Sequence, residues 1–218
     1  MTKGLTRETI VDAAFGVLDD RGMEGLTVRA LAERLGVKAP ALYWHVRDKQ
    51  ELLDEMGTRV WTGIARVSSE VRADGDWRGA LAQYARAARH GLLAHRDGAR
   101  AFSGTYLTDP EVLRDQEAGL AWMESQGFPV RATADAYAII TGFVVGHCIE
   151  EQARSQSTDD RYSIAVRDER VGSESHPRVA ASGRSMFARD PETVFEAHLA
   201  VVLDGVAGLR SESGPAAG

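Results

Sequence analysis

The stretch from Thr27 to Val46, TVRALAERLGVKAPALYWHV, sets two short helical segments on either side of one glycine. Thr27 can cap the first segment, in which Val28, Leu31 and Leu35 share a face, and Gly36 ends it. Pro40 suits the opening turn of the second segment, where its missing N–H would be unpaired anyway. That segment is short, spanning residues 40 to 46, and Arg47-Asp48 breaks it. Two short helices around a glycine-containing turn, the second rich in groove-capable side chains, form the helix-turn-helix pattern.

The pattern divides the second helix by face. Leu42 and Val46 are four apart and turn inward with Leu31 and Leu35. Ala39, Pro40, Ala41, Tyr43 and Trp44 then point away from that small core. Small residues allow close approach to bases, and their methyls can meet thymine methyls. Tyr43, His45 and Lys49 are placed to reach phosphates, and Arg29 is the candidate for a base edge. Thr27 and Lys38 complete the candidate DNA-facing set. A second reading stays open from composition, in which Tyr43 and Trp44 are core of a helical bundle, since aromatic residues are usually substantially buried.

Charge is compatible with the first reading. The chain carries a net −6, yet residues 1–50 hold eight Lys/Arg against seven Asp/Glu. The acidic excess lies in the rest of the chain, so an acidic body carries one mildly basic end. No apolar run approaches ~18 residues, so no membrane span is expected. The N-terminus MTKGLTRETI lacks a signal-peptide pattern. A single cysteine, Cys148, rules out an intrachain disulfide framework and fits a reducing cytoplasm. It lies in an apolar helical run and reads as a small buried hydrophobe.

The expected fold class is all-α, with helices near 6–21, 77–94, 97–102, 109–126, 131–154, 178–188 and 190–209 besides those of the head, and a long helix from Lys49 to about Ser69. Thr6 with Thr9 is a poor capping box, and Gly22 is well placed to stop the first helix. Residues 154–177 are polar with little periodicity and read as a loop, and the tail SESGPAAG reads as frayed. The expected division is 1–48, a helix-turn-helix DNA-binding domain, and 49–218, a helical ligand-binding and dimerisation core. Gly142 and Gly146 on one helical face, and the stripe Val194, Leu199, Val202, Leu203, Val206 and Leu209, permit a helix-on-helix dimer contact. The same stripe is also compatible with intrachain core.

Residues 25–54, GLTVRALAERLGVKAPALYWHVRDKQELLD, resemble the DNA-binding domain of the tetracycline-repressor (TetR) family. LLAHRDGAR (92–100), the GT pair at 104–105, SQGF (125–128) and GHCIEEQ (146–152) are similar to the core of its tetracycline-responsive branch. The resemblance implies a homodimeric repressor whose heads sit in successive major grooves of palindromic operator DNA. A small-molecule inducer would tilt the helix that follows the head. It also implies a four-helix dimer interface built from 131–154 and 190–209 of two subunits.

The resemblance places a ligand site at Ala65, Tyr84, Ala88, Phe102, Thr105, Gly119, Trp122, Phe143, His147 and Glu150. Thr105 and Glu150 match the branch. Phe102 stands where it has a metal-binding histidine, Ala65 replaces another histidine, Tyr84 an asparagine and Gly119 a glutamine. The expectation is therefore a more aromatic pocket formed by Tyr84, Phe102, Trp122 and Phe143, for a flat, largely apolar antibiotic or metabolite, with no obligatory Mg²⁺ and no cofactor. His147, Glu150 and Glu151 are spaced so that they can converge on an ion, but a full ligand set is lacking. In the head, Ala39 replaces a glutamine able to read adenine and Lys38 replaces an acid, so a different operator is expected.

Two other functions remain. His95, His147, Glu150 and Glu151 can supply acid–base groups to an enzyme, but no nucleophile–base motif or phosphate loop accompanies them. The other is a DNA-binding regulator with no small-molecule ligand. By family analogy, the regulated gene would be an exporter or antibiotic-related gene.

Overall fold

A computed structural model describes residues 5–71, 75–157, 160 and 163–210. The described residues contain helices and no strand, in the order α1 (Arg7–Gly25), α2 (Val28–Leu35), α3 (Ala39–Leu42), α4 (Lys49–Val71), α5 (Trp77–Leu93), α6 (Gly98–Phe102), α7 (Pro110–Arg114), α8 (Gln116–Ser125), α9 (Val130–Ser155), α10 (Ile164–Val171), α11 (Pro177–Phe187) and α12 (Pro191–Ala207), closed by a 3-10 turn at Gly208–Arg210. The expected frayed tail and positions 158, 159, 161 and 162 of the expected loop lie outside the described residues.

Local signals explain most boundaries. Thr6 and Thr9 do form a reciprocal capping box: Thr9 N–H donates to Thr6 Oγ1 at 3.2 Å, and Thr6 N–H donates to Thr9 Oγ1 at 2.9 Å. The threonine hydroxyl thus substitutes for the glutamate usual at that position. Gly22 interrupts α1 with φ +68, a conformation costly for any residue carrying a Cβ. Thr27 accepts from Ala30 N–H, and Gly36 closes α2 in the left-handed region. α3 has only one turn, Ala39–Leu42, followed by a turn through His45.

Two expectations change in the body. The span 109–126 is two helices, but Asp115 between them keeps right-handed helical dihedrals, so the break is a kink. The segment 154–177 is not loop throughout, because Ile164–Val171 forms α10. Its polar sequence hides the helix, since α10 buries no residue fully and packs chiefly on α11. Arg184 pairs with Asp168 at 2.7 Å, and Arg167 donates to Val179 O at 3.0 Å to hold that hairpin.

One continuous apolar cluster runs from the head through the body. Ile10, Leu18, Leu31 and Leu42 belong to the head end, Leu81, Leu92, Ile140 and Leu199 to the body. α4 passes from one to the other, packed on α1, α5 and α6. α9 crosses the body against α5, α6, α8 and α12. By length and composition alone α9 is long and apolar enough to cross a membrane, although no unbroken apolar run marks it in the sequence. Its composition has another use: Thr133, Ala136, Ile140, Val144, Cys148 and Gln152 are buried inside the chain. Along the other side, Ala138, Ile139, Gly142 and Gly146 are exposed, and Ala197, Val201 and Gly205 are exposed on the neighbouring α12.

Candidate DNA interface and ligand body

In the head, the inward and outward faces separate as their spacing requires. Leu42 and Val46 are buried with Leu31, whereas Tyr43 is 55% and Trp44 90% exposed. A fully solvated indole costs free energy, and its neighbours make it the edge of a surface hollow bounded by Pro40, Tyr43 and Trp44. Bundle core is therefore not their place in this chain. Thr27, Arg29, Lys38, Pro40 and Lys49 are exposed on the same end, while Ala39, Ala41 and His45 are half-buried.

The residues behind that face hold it in position. Glu51 N–H donates to Asp48 Oδ1 at 2.8 Å, and Arg47 N–H donates to Glu51 Oε2 at 2.7 Å, which fixes the turn into α4. The Arg47 backbone N–H, then the Arg47 and Arg7 guanidiniums, hold the Glu51 carboxyl below the usual range. Lys49 Nζ donates to Met23 O at 2.8 Å. Lys49 is thus exposed but already engaged with the end of α1, a partner that spacing alone did not reveal.

The expected ligand aromatics Tyr84, Phe102 and Phe143 each have ring partners of their own. Tyr84 donates or accepts through its hydroxyl to Thr141 Oγ1 at 2.7 Å and meets Tyr137 edge-on. Burial pushes the Tyr84 phenol above its ordinary range. Phe143 stacks on Phe195, with His147 against both. Phe102 is fully buried elsewhere, against Phe15 of α1 and His95. It fills the joint between head and body, and Tyr84, Trp122 and Phe143 pack against the same continuous core. Trp122 is half-buried against the core, Ala88 and Gly119 are buried, and Ala65 and Glu150 are exposed. Thr105 Oγ1 donates to Phe102 O at 3.0 Å and crowds Gly57, where a Cβ would fall 2.2 Å from that oxygen.

His147, Glu150 and Glu151 do not converge. Glu151 is engaged by Arg89, whose Nε and Nη2 donate to its two carboxylate oxygens at 3.1 and 2.9 Å. Arg89 also pairs with Glu192 and lies over the Phe195 ring at 5.0 Å. Burial opposes the Arg89 charge, but Glu151 and Glu192 outweigh it and raise the guanidinium's pKa. His147 Nε2 is buried without a hydrogen-bond partner, 3.8 Å from Glu151 Oε2. Desolvation lowers its pKa, partly offset by Glu151. Among the described residues no group of three or more His, Cys, Asp or Glu could hold a metal ion. Sequence reasoning missed Arg89 and Gln152, because a charged residue on α5 and an amide on α9 carry no local signal of what they meet.

Two family models match the chain: "Bacterial regulatory proteins, tetR family" over residues 10–56 and "Tetracyclin repressor-like, C-terminal domain" over residues 72–210. The chain belongs to the TetR family. It is 38% identical over 210 residues to the tetracycline repressor protein class A of Escherichia coli, covering 96% of this chain and 94% of that one. A possible TetR family transcriptional regulator from Streptomyces coelicolor A3(2) superposes with a TM-score of 0.81 at 35% identity, covering 93% and 99% of the two chains. TetR(class A) in complex with 5a,6-anhydrotetracycline and magnesium superposes at 0.68 with 35% identity, covering 94% and 99%. TetR-family regulators are DNA-binding repressors rather than enzymes, bind operator DNA as dimers and respond to small-molecule ligands. This chain is a ligand-responsive DNA-binding repressor of that family.

Proposed function

We propose that residues 1–48 act as the operator-reading head and 49–218 as the ligand-binding and dimerisation core of a cytoplasmic homodimer. The two α3 helices would enter successive major grooves, whose spacing must fit about one helical turn, ~34–36 Å. The observation that carries this reading is the solvated Tyr43–Trp44 pair beside Pro40, backed by a buried Leu42 and Val46. Arg29 would read a base edge. Thr27, Lys38, Tyr43, His45 and Lys49 would position the backbone, and Ala39, Pro40, Ala41 and Trp44 would fill the groove. The exposed small residues of α9 and α12 support a four-helix interface with a second copy, because small side chains let helices approach closely.

The inducer would be a small aromatic or polycyclic antibiotic or metabolite, released from dependence on magnesium, and the regulated gene an exporter or antibiotic-related gene. Phe102 and Ala65 support this departure from the tetracycline-responsive branch, because a phenyl ring cannot ligate a metal and a methyl cannot replace a drug-contacting histidine. Of the ligand candidates, Tyr84, Ala88, Gly119, Trp122, Phe143 and His147 sit in or against the body core, and Thr105 and Phe102 sit where the body meets α4 and α1. No catalytic role is assigned to Glu151 or His147, since Arg89 occupies Glu151 and His147 Nε2 has no hydrogen-bond partner.

Selection of binding sites from a random duplex library tests the reading. Enrichment of a palindrome is expected, with release by members of a polycyclic aromatic panel, unchanged by EDTA. Failure to enrich any palindrome would overturn operator binding. Release by tetracycline only in the presence of Mg²⁺ would overturn the ligand assignment.

A further inference from the structure

Gln152 is an uncharged amide, 5% exposed, in the middle of an apolar body. Burying an amide is costly unless its donors and acceptor are met. All are met by one short segment, the elbow between α5 and α6. Gln152 Nε2 donates to Leu92 O at 3.3 Å and to His95 O at 2.8 Å, and Gln152 Oε1 accepts from Ala99 N–H at 3.0 Å. One side chain of α9 therefore satisfies a carbonyl of the last turn of α5, a carbonyl of the elbow itself and an amide of the first turn of α6. Leu92 O and Ala99 N–H are groups that helix ends leave without intrahelical partners, and His95 O also accepts from Gly98 N–H at 3.0 Å.

The elbow is shaped for this contact. Gly98 has no room for a side chain, because a Cβ would fall 2.3 Å from Leu92 O. Asp97 adopts φ +55, the only described residue other than glycine with a positive φ. Aspartate tolerates that region better than most residues, but it needs support to stay there.

The opposite side of the same elbow grips the head. Asp97 Oδ2 accepts from Met23 N–H at 2.9 Å. Asp19 of α1 accepts from Arg96 N–H at 3.1 Å, and His95 Nδ1 lies 3.1 Å from both Asp19 oxygens. Arg96 also donates to Asp20 O at 3.3 Å, and the His95 ring packs on Phe15 at 4.5 Å. Met23, in turn, is the residue whose carbonyl holds Lys49 on the candidate DNA face.

The geometry points to Gln152 as a positioning residue that sets the head relative to α9, acting through the 95–99 elbow on the far end of α1. The inference rests on the operator-binding reading for its consequence, although the linkage itself is independent of it. α4 is one covalent route from body to head. The Gln152 elbow is a second route, non-covalent, which starts on the helix expected to face the partner subunit. Loosening it lets each head drift while the dimer helices stay paired. Two heads that must fit one DNA period then bind with lower affinity.

The test uses the full-length protein carrying Gln152→Met, which keeps the volume and removes all three hydrogen bonds. Hydrogen exchange should speed up in 95–99 and also in 19–25, with α9 unchanged. Operator affinity should fall about tenfold, equivalent to ~1.4 kcal/mol, while the dimer dissociation constant stays within twofold. Asp97→Gly keeps the positive φ but deletes the acceptor for Met23, and should give a loss of the same size. If the two are one linkage, the double variant loses little more than either alone. Should Gln152→Met not fold, Asp19→Ala, at an exposed site, replaces it in the same cycle. Additive losses, or faster exchange at 95–99 with no change at 19–25, overturn the proposal. Wild-type protein that binds no operator defeats the functional reading instead, and exchange still decides the linkage.

Discussion

Removing Arg89 tests how the body tolerates its charges. In Arg89→Met the stem is kept and three charged contacts are lost. The Glu192 contact is exposed on the acid's side and contributes little. The Glu151 pair matters more, because both side chains are only 14% exposed. Breaking a fully buried pair by removing one partner costs ~3–5 kcal/mol, and the residual water contact here reduces that to about 2–3. For a chain of this size the melting temperature should drop by about 4–12 °C at pH 8. Replacing both partners, Arg89→Met with Glu151→Leu, should recover most of the loss, because no carboxylate is then stranded.

The loss should also depend on pH. In the wild type the folded His147 binds a proton less readily than the unfolded chain. Its contribution to stability is therefore fully present above the ordinary imidazole value, ~6.5, and is lost as pH falls from there through the lower folded value. Without Arg89, one cause of the lowered His147 pKa is removed and Glu151 is left to favour the imidazolium, so the His147 depression is smaller in the variant. Thermal melts of both proteins at pH 5.5 and 8, at one protein concentration, should show a smaller deficit at the lower pH. A deficit independent of pH, or no deficit at pH 8, refutes the reasoning.

Other outcomes follow from single contacts. Burial pushes the Cys148 thiol up to about 12, so the folded protein should resist alkylation at pH 8 and react once denatured. Gly57→Ala should destabilise by about 1–3 kcal/mol in a thermal melt, because its Cβ collides with Thr105 Oγ1. Thr27→Ala should cost about 0.5–2 kcal/mol through the lost cap alone, measured without DNA, and any excess loss in operator titration reports a phosphate contact. Arg29→Ala should relax operator selectivity by about 1–3 kcal/mol, and unchanged selectivity in a competition assay removes it from base reading.

The head was legible because its signals are local. A cap at Thr27, a stop at Gly36, a proline at position 40 and the four-residue spacing of Leu42 and Val46 act within one or two turns. The same spacing placed Tyr43 and Trp44 outside, and the structure agrees. α10 was not legible, because a short polar helix buries little and owes its place to one salt bridge and one hydrogen bond with α11. Likewise, the resemblance placed Phe102, Tyr84 and Phe143 in the body, but not which rings each of them meets.

The amino-acid sequence by itself determined the helical class, the exposed face of the head and the family whose residues it shares. Those properties depend on periodicity and on residues close together along the chain. Tertiary structure alone decided that Glu151 answers Arg89 rather than a metal, that Phe102 fills the joint with α1, and that Gln152 holds the elbow beneath the head. These partners lie more than forty residues apart, and a side chain carries no mark of its distant partner until packing brings the two into reach.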